Sequence, residues 1–171
     1  MRMPREQRGL CLSAARSYLF NLLLSERVRQ DNWTHYLAGD VLMLAGSRSQ
    51  FSLHEDDADW FNSSAADELM KLVNPIEQRL READIHISGT LCGFGESPLS
   101  ATALELETAV FRSEQALVDG LCRQGVEQAR RPLRAMPKQL KWQFKSEKLQ
   151  LSFVLPTGSY ATVLLRELVE C

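Results

Sequence analysis

The C-terminal stretch of the chain constrains its fold more than any other part. Residues 149–155 alternate apolar and polar side chains, which is the pattern of a strand with one buried face. A turn containing proline and glycine follows, and residues 163–168 then have the pattern of a short helix. This succession predicts a turn at the rim of a sheet. The turn carries Tyr160 beside the free backbone donors and positive dipole end of the helix.

The remainder of the chain alternates between helical and strand patterns. The predicted helices cover residues 12–30, 67–83, 101–120 and 126–134. The predicted strands cover residues 41–44, 85–89, 140–144 and 149–155. Because helices and strands alternate along the sequence, we predict a mixed α/β (α+β) fold.

Composition and motifs exclude several classes of protein. With 171 residues, 44% apolar and 25% charged, the chain has the composition of a soluble globular protein. No apolar run approaches the roughly 20 residues of a membrane span, so no membrane contact is expected. The four cysteines are scattered without a CxxC pair, which favours reduced thiols and a cytoplasmic location. No P-loop, GxSxG or HExxH motif and no metal-ligand spacing is present.

The net charge of −2 hides a segregation of charge along the chain. Residues 130–148 contain a run of cations against the single acid Glu147, with Trp142 and Phe144 among them. The cations are Arg130, Arg131, Arg134, Lys138, Lys141, Lys145 and Lys148. Cations interleaved with aromatic rings predict contact with a polyanion. Lysines that solvate an edge strand would give the same pattern, which by itself favours neither interpretation.

A series of motifs runs through nearly the whole chain. LSAARSYLFN stands at residues 12–21, and LPTGSYAT followed by REL stands within residues 155–168. Between them lie GD at 39–40, LAG at 44–46, GFGE at 93–96, Glu107, ARR at 129–131 and QLKW at 139–142. In this order the motifs resemble the TruD family of tRNA pseudouridine synthases, and the two terminal motifs are the most distinctive.

The resemblance implies a division of the chain into three parts. Residues 1–30 are expected to be the N-terminal segment and helix of the pseudouridine synthase catalytic fold. Residues 31–136 resemble most of the inserted α/β domain of the family. Residues 137–171 are expected to return to the catalytic fold as strands and a helix.

One departure from the family pattern concerns catalysis. Family members carry, upstream of the LSAARS helix, a GxKDxxAxT-like motif with the catalytic aspartate and an NYFGxQRFG-like motif, and this sequence contains neither. No aspartate here has that motif around it, so no catalytic residue is assigned. The chain is expected to be a C-terminal portion, inactive alone. The expected partners are tRNA and either the missing N-terminal half or a second copy of the chain.

The resemblance further implies an isomerisation of the uridine at position 13, in the D arm of tRNA, without metal or cofactor. The uridine is flipped out, its glycosidic bond opens, and uracil turns and rejoins the ribose through carbon. Tyr160, with Ser159 and Gly158 in the same turn, is expected to contact the target base. The alternative is that the Tyr160 ring only fills the core between turn and helix.

Arginine suits phosphate because its planar fork donates two hydrogen bonds at once. The predicted tRNA contacts are Arg16, Arg130, Arg131, Arg134, Lys138 and Lys141. For Arg16 the alternative is a pairing with a carboxylate at the edge of the core. Two other functions stay open: an RNA-binding α/β module without catalysis, and an α/β interaction domain that binds no RNA.

Overall fold

The computed structural model describes residues 4–52, 75–156 and 158–168. It divides the chain into two compact units, Met1–Leu133 and Arg134–Cys171. Residues 67–74 of the helix predicted over residues 67–83 lie outside the described residues, and the remainder is present as a helix from Pro75 to Arg81. No helix in the described ranges combines the length and the apolarity needed to cross a lipid bilayer.

Helix α1 runs from Arg5 to Arg29 and therefore begins before the predicted start at residue 12. Its first two turns contain good helix formers but no apolar stripe, so hydrophobic periodicity does not reveal them. Pro4 precedes the first turn with φ −55°, a value that suits a helix start. The helix ends before Asp31, whose φ of +53° is left-handed.

The first unit contains an antiparallel sheet of four strands in the order β2-β1-β3-β4. The strands are β1 (Val41–Leu44), β2 (Gln50–Ser52), β3 (Ile85–Leu91) and β4 (Ala129–Pro132). β3 lies at the centre, where Leu42 of β1 faces Ile87 on one side and Arg131 of β4 faces Gly89 on the other. The predicted strands β1 and β3 are confirmed.

Helices cover both faces of this sheet. On one face Phe20 of α1 and Leu80 of α2 (Pro75–Arg81) pack with Ile85 and Ile87. Gly89 lies on that face, and a Cβ atom there would come within 3.0 Å of Phe20, which shows how closely α1 approaches β3. On the other face Ala103 of α3 (Ala101–Phe111) packs with Val41. The mixed α/β prediction is therefore confirmed.

The helix predicted over residues 101–120 is confirmed, and it continues to Arg123 with a 3₁₀ turn in its middle. α3 is followed by a 3₁₀ turn, Arg112–Glu114, and by α4, Gln115–Arg123. Leu121 of α4 packs with Leu19 of α1 in a second apolar cluster that also contains Cys92.

The helix predicted over residues 126–134 is wrong. The chain there forms the edge strand β4, in which Arg130 faces Thr90 and Arg131 faces Gly89. Alanine and arginine favour a helix by intrinsic propensity. The extended backbone instead sends the two arginine side chains to opposite faces of the sheet. Each arginine then meets a partner that is distant in sequence, and this tertiary pairing overrides the local preference.

The second unit is built on a hairpin. β5 (Lys138–Lys145) and β6 (Lys148–Val154) pair antiparallel, and the six-residue helix α5 (Ala161–Arg166) follows. Both predicted strands and the short C-terminal helix are confirmed, with ends that differ by a few residues. The three-part division expected from the resemblance stays a prediction.

Candidate nucleic-acid interface and buried ionic network

Tyr160 lies at the surface of the second unit, with 73% of the residue exposed. It is the residue before α5, and its carbonyl accepts a hydrogen bond from the Val163 amide at 3.1 Å. Gly158 has φ +86°, a value that glycine adopts without steric cost. The Ser159 amide donates to the Pro156 carbonyl at 3.1 Å and closes the turn. The ring does not fill the core of its unit, and its contact with a uridine stays a prediction.

Arg16 binds three backbone carbonyl groups. Its Nε donates to Cys92 O at 3.1 Å, and its Nη2 donates to Leu91 O at 3.1 Å and Glu127 O at 2.9 Å. The guanidinium therefore joins α1 to the end of β3 and to the segment before β4. Among the described residues its partners are carbonyl groups and not the carboxylate considered as the alternative, and a contact with phosphate stays a prediction.

The GFGE loop beside Arg16 uses its two glycines for different reasons. A Cβ atom at Gly93 would overlap the Val126 carbonyl, whereas one at Gly95 would meet Gln128 Cβ at an ordinary 3.8 Å, and Gly95 has a φ of +131°. Phe94 between them is held by two backbone hydrogen bonds, from its amide to Val126 O and from the Gln128 amide to its carbonyl. The loop is thus packed against the segment that precedes β4.

Arg130 is buried within the first unit, and its side chain is 2% exposed. It donates to the Ser88 hydroxyl at 2.7 Å, the Thr90 hydroxyl at 2.8 Å and the Glu107 carboxylate at 3.3 Å. Burial raises the pKa of Glu107 and lowers the pKa of Arg130, and the attraction between them opposes both shifts. The structure gives Arg130 internal partners in place of a surface position.

A second buried ion pair lies close to the first. Arg27 Nη2 and Asp40 Oδ2 are 2.7 Å apart, with both side chains almost fully buried. The Leu37 amide also donates to Asp40 Oδ2, at 2.8 Å. Arg27, Asp40, Ser88 and Glu107 line one small space, so the two ion pairs are neighbours in the interior of the first unit. Burial raises the pKa of Asp40, against the opposing attraction of Arg27.

The other predicted phosphate contacts differ in position. The Arg131 guanidinium lies over the Phe20 ring, 3.7 Å from its centroid, and so covers part of the apolar core. Arg134 is partly buried, and this burial lowers its pKa. Lys138 and Lys141 are exposed on β5. Of the predicted contacts, the two lysines stand most open to solvent.

Sequence reasoning did not predict the buried network. Asp40 and Glu107 belong to the motifs quoted above, but nothing in their sequence context indicates that an arginine neutralises each of them. Arg27 lies in the last turn of α1, where a basic residue is ordinarily explained by the helix dipole. The available signal was the position of Arg27 on the apolar stripe of α1, four residues after Leu23.

Replacing Arg16 with methionine is expected to loosen the GFGE loop. The substitution leaves three carbonyl groups without their charged donor, a loss of about 2 kcal/mol in local stability. The Cys92 thiol is buried, and its pKa is raised to about 12, so it resists alkylation in the native protein. We expect Cys92 to label faster in the Arg16→Met variant, measured by mass spectrometry against the exposed Cys11.

Arg29→Met provides the matched control for this prediction. Arg29 lies on the same helix, but its side chain is 71% exposed, and its partner among the described residues is Glu26. The control variant should label at the wild-type rate. Equal Cys92 labelling in the Arg16 and Arg29 variants would show that the three carbonyl contacts do not hold the loop.

Comparison with known proteins identifies the family. The model of the family tRNA pseudouridine synthase D (TruD) matches residues 1–168. This chain belongs to the TruD family, and the resemblance inferred from its motifs is confirmed.

Curated relatives are similar over almost the whole chain. A tRNA pseudouridine synthase D from Hydrogenovibrio crunogenus is 38% identical over 167 residues, which are 97% of this chain and 43% of that protein. One from Nitrosococcus oceani is 41% identical over 168 residues, 97% of this chain and 42% of the relative. The chain therefore spans less than half the length of these relatives.

A solved structure has a similar fold. The crystal structure from Methanosarcina mazei assigned as a tRNA pseudouridine synthase D matches with a TM-score of 0.60 and 20% identity. The match covers 89% of this chain and 36% of the other. At this level of identity the likeness concerns the fold.

Proposed function

We propose that this chain is part of a TruD-type tRNA pseudouridine synthase, an isomerase that converts the uridine at position 13, in the D arm of tRNA, to pseudouridine. The observation that carries the proposal is the family match over residues 1–168. The LPTGSYAT motif, with Tyr160 exposed on its turn, supports it. Scattered free cysteines at Cys11, Cys92 and Cys122 are consistent with a cytoplasmic protein.

The role proposed for this chain is to hold the flipped nucleoside. Flipping a base out of its stack costs a few kcal/mol, which contacts with the protein must offset. Stacking on an aromatic ring contributes about 1–3 kcal/mol per base, and the exposed Tyr160 ring offers such a surface. The bond from ribose C1′ to uracil N1 then breaks, and a bond from C1′ to uracil C5 forms. C5 loses its proton and N1 gains one, so the product is an isomer of the substrate. The aspartate for this step is expected from the GxKDxxAxT motif, which this sequence does not contain.

The apolar face of the β5–β6 hairpin supports the proposal that a further part of the protein packs against it. Trp142 and Phe144 lie on one face of β5 and are 66% and 70% exposed. Leu149 and Leu151 of β6 face them, so the hairpin has a continuous apolar face. A two-stranded hairpin is at best marginally stable alone in water. We propose that the family's catalytic-aspartate region covers this face, with a second copy of the chain as the alternative occupant.

The test is a reconstitution on unmodified tRNA, with pseudouridine detected by carbodiimide mapping. The chain is assayed alone and together with the part of the Hydrogenovibrio crunogenus relative that precedes its aligned region. We expect no pseudouridine from the chain alone and modification at position 13 from the mixture. An Asp→Asn substitution in the GxKD motif of the added part should abolish the product. Pseudouridine formed by the chain alone would overturn the proposed division of roles.

Tyr160→Ala should reduce the activity of the reconstituted enzyme without unfolding the chain. Loss of about 1–3 kcal/mol of stacking predicts a fall in kcat/KM of roughly 5- to 150-fold. Tyr160→Phe keeps the ring and should retain activity. Tyr18→Ala is the matched control, because Tyr18 is also exposed but bonds to Glu114 at 3.2 Å in the first unit. A Tyr160→Ala variant as active as Tyr18→Ala would contradict the stacking role.

A second candidate function is an RNA-binding α/β module without catalysis. The exposed lysines of β5 favour it, because cations bind RNA whether or not chemistry follows. The same reconstitution distinguishes the two functions. Salt-sensitive tRNA binding without any pseudouridine from the mixture would support the binding module.

A further inference from the structure

We propose that the four lysines of the β5–β6 hairpin form a phosphate-binding face for the RNA backbone, on the side of the hairpin opposite its apolar face. This proposal rests on the proposed function for the identity of the RNA. The first observation is the distribution of lysine. The chain has fifteen arginines spread along its length but only five lysines, of which four are Lys138, Lys141, Lys145 and Lys148.

The strand register places these lysines on one face. Lys145 faces Lys148, and Lys141 faces Ser152, so these residues share a face with the Gln143–Gln150 pair. Trp142 and Phe144 alternate with them and point to the other side. The two sides of the hairpin are therefore chemically distinct, one polar and cationic and the other apolar.

A bulge brings the fourth lysine to the same face. The register shifts by one residue between Lys138 and Lys141, and Gln139 in the shifted segment has φ +54°. Without the shift, Lys138 would alternate onto the apolar face. With it, Lys138 faces Val154, which shares its side of β6 with Gln150 and Ser152. Bulges change the direction of side chains at a cost in backbone conformation, and here the result is one face that carries all four lysines.

The charge of this face is not compensated within the described part of the chain. All four lysines are exposed, and none of them forms an ion pair among the described residues. Like charges directly opposite one another, as at Lys145 and Lys148, destabilise a strand pair. A polyanion bound to the face would remove this repulsion.

The geometry suits a phosphate backbone better than a single anion. Lys141 and Lys145 are four residues apart on one strand, a distance of about 13 Å. A lysine ammonium acts as a mobile point charge, which fits phosphates of any sequence. Aggregation control by lysine would need only charges along the hairpin edge. It does not account for a bulge that adds Lys138 to a face already carrying three lysines.

Lysine acylation with and without tRNA tests the proposal on the chain itself. Because four of the five lysines lie on the hairpin, a lysine-selective reagent reports almost entirely on this face. We expect unmodified tRNA to protect the four hairpin lysines, Lys138, Lys141, Lys145 and Lys148, at least about threefold, measured by peptide mass spectrometry relative to Lys71. Equal acylation in the presence of saturating tRNA would overturn the proposal.

Charge reversal provides the second test. The triple variant Lys141→Glu, Lys145→Glu, Lys148→Glu is compared with Arg8→Glu, Arg48→Glu, Arg112→Glu, which changes the net charge equally at exposed positions of the first unit. We expect the lysine variant to weaken tRNA binding at least about tenfold and to lower the salt slope by about 2–3, near one for each lost phosphate contact. The arginine variant should bind almost as the wild type does.

A milder variant keeps the test valid if charge reversal disturbs the hairpin. Lys→Gln at the same three positions removes the charges without adding acids, and it should reduce the salt slope similarly.

Equal effects of the lysine and arginine variants would show that net charge, and not this face, governs binding. Pseudouridine formation by the reconstituted mixture without lysine protection would refute the face alone. Lysine protection without pseudouridine formation by the reconstituted mixture would refute the synthase function and leave the face standing. Tighter binding to anionic vesicles than to tRNA would also refute the RNA assignment.

Discussion

Replacing Arg130 with alanine is expected to lower the free energy of unfolding of the first unit by about 3–5 kcal/mol. The substitution leaves the Glu107 carboxylate buried without its cation and the Ser88 and Thr90 hydroxyl groups without their donor. This cost is a large part of the roughly 5–15 kcal/mol by which natural domains are stable. Urea unfolding followed by far-ultraviolet circular dichroism measures it.

Arg131→Ala is the matched control for this prediction. Arg131 is adjacent in β4, but its guanidinium lies over the Phe20 ring on the other face of the sheet, a contact that contributes about 0.5–2 kcal/mol. The double variant Arg130→Met, Glu107→Leu removes both buried charges and should be more stable than Arg130→Ala. If Arg130→Ala and Arg131→Ala unfolded at the same urea concentration, the buried pair would not support the fold.

Arg130→Ala also separates two explanations of the ARR motif at residues 129–131. A phosphate contact predicts that Arg130→Ala weakens tRNA binding while the fold remains intact. The buried position predicts unfolding first, with loss of binding only as a consequence. Measuring both quantities on one sample therefore decides whether the arginine acts on the RNA or on the protein.

The parts of the fold that could be predicted from sequence are those with a strong local pattern. The buried run Val41–Leu44 and the alternation along Lys148–Val154 identify their strands without tertiary information. The exposed turn at Tyr160 follows from its proline and glycine. Each of these features is decided by side chains a few residues apart.

The features that escaped prediction depend on distant partners. β4 is a strand because Arg130 meets Ser88 and Glu107, which lie 42 and 23 residues away in sequence. Arg16 resembles a surface cation in sequence, yet its acceptors are carbonyl groups 75 to 111 residues away. An arginine has the same sequence signature whether it is buried in an ion pair or exposed to phosphate. Only the fold distinguishes the two, and it moves the strongest candidate for RNA contact from the arginines to the lysine face.

Gly39→Ala is the second substitution with a large expected effect, a loss of about 2–5 kcal/mol in the free energy of unfolding. Gly39 has φ +84°, and a left-handed conformation costs a residue with a Cβ atom about 1–2 kcal/mol. A Cβ atom there would also overlap the Ser100 carbonyl, and relieving such an overlap costs about 1–3 kcal/mol more. The backbone must shift, because the obstacle is not a flexible side chain.

Gly46→Ala is the control that carries the conformational cost alone, because Gly46 has a similar φ of +72° but no atom of the described residues around it lies within 4 Å of the new methyl group. It should cost only the conformational part, about 1–2 kcal/mol. The excess loss at Gly39 then measures how closely the turn must approach α3, whose Ala103 amide donates to the Ala38 carbonyl at 3.0 Å. This approach brings the turn that carries Asp40 to the helix that carries Glu107, so Gly39→Ala should also disturb both buried ion pairs. Equal losses at Gly39 and Gly46 in urea unfolding would show that this close approach is dispensable.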